Sequence, residues 1–290
     1  MTAAVGWVGL GRIGLPMAER ALAAGHELHV WSRREDATAP LVAAGARRAA
    51  SPEDLARTCG IVATIVGGPD DVRELHGRML PHARRGALYI EMTTASPRVA
   101  ADAAALFARS GALVVDAPVT GGVAGASAGT LTAFVGGEGA ALDRARPLLA
   151  SFCRRIVPCG GPGAGYRMKL VNQAIVTGTL LGLATGASMA KAGGFEGPAV
   201  KDALGAGTAS GFLFDSYIAR MVDPGGAVSF TLAMLRKDAT LARDEAASLG
   251  LDPAFLDDAL AAIERACALH GADAGVQFLA AGGGAGTTGA

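Results

Sequence analysis

The sequence is poor in charged residues, in aromatic residues and in cysteine. Only 18% of its 290 residues are charged and 5% are aromatic, and 26 basic residues are balanced by 26 acidic ones. A chain without net charge lacks the basic face that nucleic acids and anionic membranes require, which excludes both as main partners. Four scattered cysteines are too few for a disulfide framework or a zinc-ligand pattern, and we predict no metal site.

Apolar residues are abundant instead, at 51% of the chain, so a membrane location has to be tested. The amino terminus has no basic segment before its first apolar run, so we expect no signal peptide and a cytoplasmic protein. Residues 170–190 contain no charge and are long enough to span a bilayer. Asn172 and Gln173 would be costly in lipid, and Gly178, Gly182 and Gly186 suit close helix packing. We therefore expect a buried helix of a soluble protein.

The chain length predicts two domains, at about 150 residues per domain. Short apolar runs alternate with amphipathic stretches over the first 160 residues, with predicted strands at 4–8, 27–31, 61–66, 87–91, 113–116, 131–135 and 155–158. Predicted helices between them cover 16–24, 51–57, 70–76, 97–109 and 139–151. This pattern is typical of an α/β fold with a Rossmann-like, doubly wound sheet.

The pattern changes after the glycine-proline cluster at 160–163, beyond which we find long helical stretches and no convincing strand. We therefore predict an all-α C-terminal domain. The predicted domains are 1–162 for cofactor binding and 163–281 for substrate binding and dimerisation. The Gly/Ala/Thr-rich residues 282–290 are predicted to be a disordered tail.

The strongest local motif is a glycine loop directly after the first predicted strand, formed by Gly9, Leu10, Gly11, Arg12, Ile13 and Gly14. In a G-x-G-x-x-G loop that opens a helix, the first glycine makes the turn and the second admits a pyrophosphate to the backbone. The third glycine lets the helix pack on the strand, and the positive end of the helix faces the anion. The loop predicts a dinucleotide cofactor.

The end of the second predicted strand distinguishes NAD(H) from NADP(H). NAD sites commonly place an acidic residue there, but this chain has Ser32, Arg33 and Arg34, with no acid before Glu35. These residues suit a 2′-phosphate, so we favour NADP(H) over NAD(H). The alternative is that the arginines only belong to a solvated turn.

Three further blocks follow the glycine loop, at 116–122, at 163–173 and at 237–242. Together, the four blocks resemble the β-hydroxyacid dehydrogenase family, which includes 3-hydroxyisobutyrate dehydrogenase and tartronate semialdehyde reductase. The resemblance implies an NAD(P)-dependent oxidoreductase that interconverts a short β-hydroxyacid and its semialdehyde. It also implies a C-terminal domain like that of 6-phosphogluconate dehydrogenase, an active site in the cleft between the domains, and a homodimer or homotetramer.

By this resemblance, Lys169 is the catalytic acid/base. A lysine ammonium can stabilise a developing alkoxide and donate a proton to it when burial lowers its pKa. Asn172 follows one helical turn later on the same face. The residues that the resemblance assigns to substrate binding are Thr120, Gly121, Gly122, Asn172 and Gln173. The glycine loop and the three residues that suit a 2′-phosphate are predicted to bind the cofactor. The resemblance adds further cofactor contacts at Val66, Gly67, Gly68, Thr94 (with Thr93 as an alternative) and Lys237.

The chain departs from the family pattern at several positions. Thr120 stands where serine is more usual, Gln173 replaces the second asparagine of an Asn-Asn pair, and Ala184 stands where we expect a glutamate. Imine reductases share the architecture but usually replace the lysine, so Lys169 favours the hydroxyacid reaction over this alternative. A non-catalytic cofactor-binding module is the other alternative, and it predicts that Lys169→Ala changes nothing.

Overall fold

The computed structural model describes residues 4–282. The chain divides into two compact units, one ending at Leu170 and the other beginning at Val171. The predicted tail, residues 282–290, lies outside the described residues from 283 onward.

The strands described in the first unit form one nine-stranded sheet, with bounds β1 Val5–Val8, β2 Leu28–Trp31, β3 Arg47–Arg48, β4 Ile61–Thr64, β5 Leu88–Glu91, β6 Leu113–Asp116, β7 Val119–Thr120, β8 Leu131–Gly136 and β9 Cys153–Gly160. Six of them are parallel in the order β3-β2-β1-β4-β5-β6, the order of a doubly wound dinucleotide-binding sheet. Strand β8 is antiparallel to β6 and β7, and β9 is parallel to β8. The predicted Rossmann-like sheet is confirmed.

Helices connect these strands, with bounds α1 Gly14–Ala23, α2 Ala39–Ala43, α3 Pro52–Thr58, α4 Pro69–Met79, α5 Pro97–Ala108, α6 Gly122–Ala128 and α7 Gly139–Leu149. Ser51 caps α3 by accepting a hydrogen bond from the Asp54 amide at 3.2 Å, as expected from a serine followed by proline and two acids. The sequence pattern missed β3, β7, α2 and α6, because two to seven residues are too few to show a period.

The sheet of the first unit buries apolar side chains on both faces. Successive residues of a strand point to opposite faces. Along β1, Val5 and Trp7 join one core cluster, where the Trp7 ring meets Phe152 edge-on with 5.8 Å between ring centroids. Val8 joins a second cluster with Leu55. Full burial of each such side chain stabilises the fold by about 1.5–3 kcal/mol, so both faces contribute to holding the strand ends in place.

The second unit is helical, as predicted. Its helices are α9 Gly197–Leu204, α10 Phe212–Val222, α11 Leu232–Ser248 and α12 Ala254–His270, preceded by the long α8 Ala164–Ala192, which begins in the first unit. A 3₁₀ turn, Val276–Gly282, ends the described chain. Within the described residues, this unit also contains one isolated antiparallel β-bridge, between Thr231 and Gly275.

Helix α8 differs from the buried helix expected from its composition. By length and composition it could cross a membrane, with a mean hydropathy of 1.3, but only 33% of its most apolar window is buried. Leu180 and Ala187 lie in the core of the second unit. Val171, Ile175 and Met189 lie on another face and are 52%, 65% and 71% exposed. One face of the helix is buried and the other is exposed, although both are apolar. Composition alone could not reveal this difference.

Candidate active site

The glycine loop joins β1 to α1 at the carboxyl edge of the sheet. Gly9 has φ of 99°, and a Cβ there would lie 1.9 Å from the Ile65 carbonyl oxygen. A Cβ on Gly14 would lie 2.3 Å from the Gly9 carbonyl oxygen, whereas one on Gly11 would meet nothing within 4 Å. Gly9 and Gly14 are therefore required by close packing, and Gly11 leaves the backbone open to a ligand.

The other loop residues and the start of α1 fit an anionic ligand. Leu10 is buried, Ile13 is half-buried and Arg12 is exposed. The first turn of α1 contains no acidic residue, so the positive end of the helix is not neutralised by a neighbouring carboxylate. The loop lies where the strand order reverses between β1 and β4, the position at which doubly wound sheets bind ligands. The pyrophosphate of a dinucleotide fits this loop.

The loops after β4 and β5 are tied together by a buried carboxylate, Glu91. Its Oε2 accepts a hydrogen bond from the Thr64 hydroxyl at 2.5 Å, and its Oε1 accepts one from the Thr93 amide at 2.8 Å. The Thr93 hydroxyl accepts a further bond from the Val66 amide at 2.9 Å. The Thr93 side chain is buried within this network, and Thr94 is half-buried. This network fixes the segment that contains the predicted contacts Val66, Gly67 and Gly68.

Burial governs the ionisation of the groups in this network. It raises the pKa of Glu91 to about 7, against which the hydrogen bonds from Thr64 and Thr93 act. Burial also lowers the pKa of His76 to about 4, so this imidazole is neutral at pH 7. Its Nε2 lies 3.7 Å from Glu91 Oε2, and the contact is therefore not an ion pair at that pH.

A cavity of about 500 Å³ lies at the end of β2, where the adenosine end of a dinucleotide would be placed. It is lined by Trp31, Ser32, Arg33, Glu35, Thr38, Arg48, Ala49 and Ala50. Two of the three predicted 2′-phosphate residues, Ser32 and Arg33, line it. Arg34 instead precedes the 3₁₀ turn Glu35–Thr38.

The cavity contains an arginine that sequence reasoning missed. Arg48 comes from β3, which pairs with β2 through Val30. Each arginine is held by a carboxylate: Arg33 Nη1 lies 3.0 Å from Asp71 Oδ1, and Arg48 Nη2 lies 2.5 Å from Glu35 Oε1. The two arginine side chains are 69% and 46% exposed, so they remain accessible to a ligand.

The turn predicted to bind the substrate carboxylate has unusual backbone geometry. Thr120 ends β7 and is half-buried. Gly121 and Gly122 have φ of 126° and 66°, values that favour glycine, and lead into α6. A Cβ on Gly121 would also lie 3.0 Å from Leu131 Cδ2. Successive amides in such a turn can face an anion together.

Lys169 lies in the second turn of α8 and is only 7% exposed. Lysine is rarely buried to this extent without a functional or charged partner. Asn172 follows three residues later on the same helix, so the two side chains are neighbours on its surface. The helix thus places a buried lysine and an amide side chain next to each other.

Gln173 belongs to a polar chain inside the second unit. Its Oε1 accepts a hydrogen bond from Asn172 Nδ2 at 2.8 Å, and its Nε2 donates one to Asp238 Oδ2 at 2.6 Å. The other carboxylate oxygen of Asp238 lies 2.8 Å from Lys237 Nζ. Gln173 is 3% exposed, so it orients Asn172 and Asp238 rather than facing solvent. Sequence reasoning did not assign a role to Asp238, which links two of the predicted site residues.

Two family profiles match the chain consecutively. The NAD binding domain of 6-phosphogluconate dehydrogenase matches residues 4–161. The profile described as NAD-binding of NADP-dependent 3-hydroxyisobutyrate dehydrogenase matches residues 163–281.

Similar proteins carry related names. The NAD-dependent L-serine dehydrogenase of Pseudomonas aeruginosa is 36% identical over 195 residues, which cover 66% of this chain and 65% of that protein. The solved structure of Mycobacterium tuberculosis 3-hydroxyisobutyrate dehydrogenase with L-serine matches with a TM-score of 0.86 and 27% identity, covering 97% of this chain and 99% of that one. A structure described as Psf3 in complex with NADP+ and 2-OPP gives a TM-score of 0.89 and 26% identity, with 96% and 99% covered.

The matching profiles together span nearly all of the described chain, and they agree with the sheet order and with the helical second unit. The chain is therefore an NAD(P)-dependent oxidoreductase acting on CH–OH groups, and it belongs to the 3-hydroxyisobutyrate dehydrogenase-like β-hydroxyacid dehydrogenase family.

Proposed function

We propose that the protein interconverts a short β-hydroxyacid and its semialdehyde with NADP(H), and that Lys169 is the general acid/base. The observation that carries this proposal is the burial of Lys169, which is 7% exposed and lies one helical turn before Asn172. A lysine ammonium at this position can stabilise the negative charge that develops on a substrate oxygen and donate a proton to it.

The roles of the individual residues follow from their chemistry. The bound nicotinamide supplies a hydride in reduction and accepts one in oxidation. During reduction, Lys169 donates a proton to the carbonyl oxygen as negative charge develops on it; during oxidation, the neutral amine removes the hydroxyl proton. The Thr120 hydroxyl and the amides of Gly121 and Gly122 hold the substrate carboxylate. Asn172, oriented by Gln173, restricts the position of the substrate.

The preference for NADP(H) rests on the cavity at the end of β2. Ser32, Arg33 and Arg48 line it, and paired arginines bind phosphate through charge-assisted hydrogen bonds. The carboxylates of Asp71 and Glu35 hold these arginines in place. We propose Thr94 and Lys237 as further cofactor contacts, as the family resemblance implies, with Thr93 as the alternative to Thr94.

We also propose that the exposed face of α8 is covered by a second copy of the chain. Between Val171 and Ala190 the helix has no charged residue, and it exposes Ile175 and Met189. The hydroxyls of Thr179 and Thr185 on this face donate to backbone carbonyls of the same helix, so they need no water. Such a face is suited to an apolar interface in a homodimer or homotetramer.

A spectrophotometric panel tests the proposed reaction. 3-Hydroxyisobutyrate, glycerate, L-serine, 4-hydroxybutyrate and threonate are each offered with NADP+ and with NAD+, and the corresponding semialdehydes with NADPH. We expect the highest kcat/KM for a β-hydroxyacid with NADP+. Turnover of a cyclic imine in preference to every hydroxyacid would contradict the proposed substrate class, and equal or better rates with NAD+ would contradict the cofactor preference.

A further inference from the structure

The amino-terminal end of α8 has no capping side chain in its own sequence. The first turn of a helix has amide groups without helical partners, and these are usually bonded by a Ser, Thr, Asp or Asn just before the helix. Helix α8 begins at Ala164, and the residues before it are Gly160, Gly161, Pro162 and Gly163. The Ala164 amide donates to the Gly161 carbonyl at 3.1 Å, and the neighbouring amides need acceptors from another part of the chain.

The carboxylate of Asp116 supplies them. Asp116 ends β6 and is 1% exposed. Its Oδ1 accepts a hydrogen bond from the Gly163 amide and its Oδ2 one from the Tyr166 amide, both at 2.8 Å. Burial raises the pKa of Asp116 to about 6, while these amides act to lower it. The group is therefore an anion at pH 7, beside the positive end of the helix.

Two glycines allow this contact. Gly136 is the partner of Asp116 in the ladder between β6 and β8, and a Cβ on it would lie 2.6 Å from Asp116 Oδ1 and 2.7 Å from the Gly165 amide nitrogen. A Cβ on Gly165 would lie 2.5 Å from the Phe134 carbonyl oxygen. The start of α8 thus approaches two strand ends more closely than any other residue type would permit.

We infer that Asp116 is a positioning residue that fixes Lys169 relative to the substrate turn. Lys169 lies one helical turn beyond Tyr166, whose amide Asp116 binds, and Thr120 lies four residues beyond Asp116 itself. Asp116 therefore connects the start of α8, which leads to Lys169, with the chain segment that leads to Thr120. The inference rests on the proposed roles of Lys169 and Thr120, because the anchor matters for catalysis only if those residues act on the substrate.

The test variant is Asp116→Asn, which keeps the size of the side chain but has only one oxygen acceptor for two amides. The matched control is Glu138→Gln, which neutralises an exposed carboxylate that caps no amide of α7. Hydrogen exchange, kcat and the Kd for NADPH are measured for both. For Asp116→Asn we expect at least tenfold faster exchange confined to residues 163–167, at least tenfold lower kcat, and an NADPH Kd within twofold of the wild type.

Two results would overturn the inference: unchanged exchange in the first turn of α8, or faster exchange with unchanged kcat, which would leave Asp116 a purely structural role. If the variant does not fold, exchange in the wild type decides instead. The amides of Gly163 and Tyr166 should then be at least tenfold better protected than those at the uncapped start of α7, and equal protection would overturn the inference. Failure of the proposed function would appear separately, as a wild type without turnover on the hydroxyacid panel.

Discussion

The two units of the chain treat their apolar side chains differently. Ten of the thirteen large hydrophobic residues that the structure shows exposed lie in the second unit, which is the shorter of the two. The first unit covers both faces of its sheet with its own helices, in two core clusters. The first unit therefore covers the apolar faces of its sheet by itself, whereas the second unit has an apolar surface that a single copy does not cover.

The two units also differ in the partners of their buried carboxylates. Glu91 and Asp116 in the first unit are held by hydroxyls and amides, and burial raises the pKa of each. Asp238 in the second unit instead has the Lys237 ammonium 2.8 Å from one of its oxygens. The first unit thus contains carboxyl groups whose charge depends on pH near neutrality, at the loops proposed to hold the cofactor and the substrate.

The largest expected effect separates cofactor binding from catalysis. Replacing Lys169 with alanine removes the proposed proton donor, and general acid/base groups contribute about 10²–10⁴-fold to rates. We expect kcat to fall by about a hundredfold or more while the Kd for NADPH, measured by fluorescence titration, stays within twofold. Lys191→Ala, at the other end of α8, is the control. Wild-type activity in Lys169→Ala would support the non-catalytic alternative.

A smaller effect tests whether the first unit selects NADP(H) through its cavity. Arg33→Ala and Arg48→Ala each remove a charge-assisted hydrogen bond, which is worth about 1.5–3 kcal/mol, or roughly tenfold to a hundredfold in affinity. We expect the Kd for NADPH to rise by that factor and the Kd for NADH to stay nearly constant. Arg34→Ala, next in sequence but not among the residues that line the cavity, is the control. A parallel loss for both cofactors would refute the assignment.

The smallest effect concerns the pH dependence of stability. Glu91 has a pKa of about 7 in the folded protein and about 4.3 when unfolded, so between these values only the folded state retains the proton. The free energy of unfolding contributed by this group therefore falls as pH rises, by about 1 kcal/mol per pH unit. His76 has a lowered pKa, so its contribution to the free energy of unfolding rises with pH over a lower pH range. It is present in both the wild type and Glu91→Gln.

Urea unfolding of Glu91→Gln and of the wild type at pH 5, 6, 7 and 8 measures this contribution. The neutral glutamine cannot ionise, so the stability of the variant relative to the wild type should increase with pH. Glu138→Gln, which alters an exposed carboxylate, should show no such trend. A constant difference across this range would mean that Glu91 is already ionised at pH 5 in the folded protein, which contradicts a raised pKa.

Local patterns in the sequence were sufficient to predict the parallel strands, the glycine loop and the helical second half. Apolar periodicity and glycine spacing are properties of neighbouring residues. Arg48 was missed because β3 has only two residues and no period. Asp116 and Asp238 bond to partners 47 to 65 residues away, and such pairs are decided by tertiary packing. The exposed face of α8 was missed because an uncharged helix has the same composition whether its own chain or a second copy covers it.

The comparison between the units is tested most directly by Ile175→Glu, which places a charge on the exposed face of α8. Leu106→Glu, at a 43% exposed position of α5 in the first unit, is the matched control. Light scattering after gel filtration gives the mass, and fluorescence titration gives the Kd for NADPH. We predict that Ile175→Glu is monomeric and binds NADPH within twofold of the wild type, while Leu106→Glu keeps the wild-type mass. A monomeric wild type, or loss of NADPH binding together with the oligomer, would contradict the account.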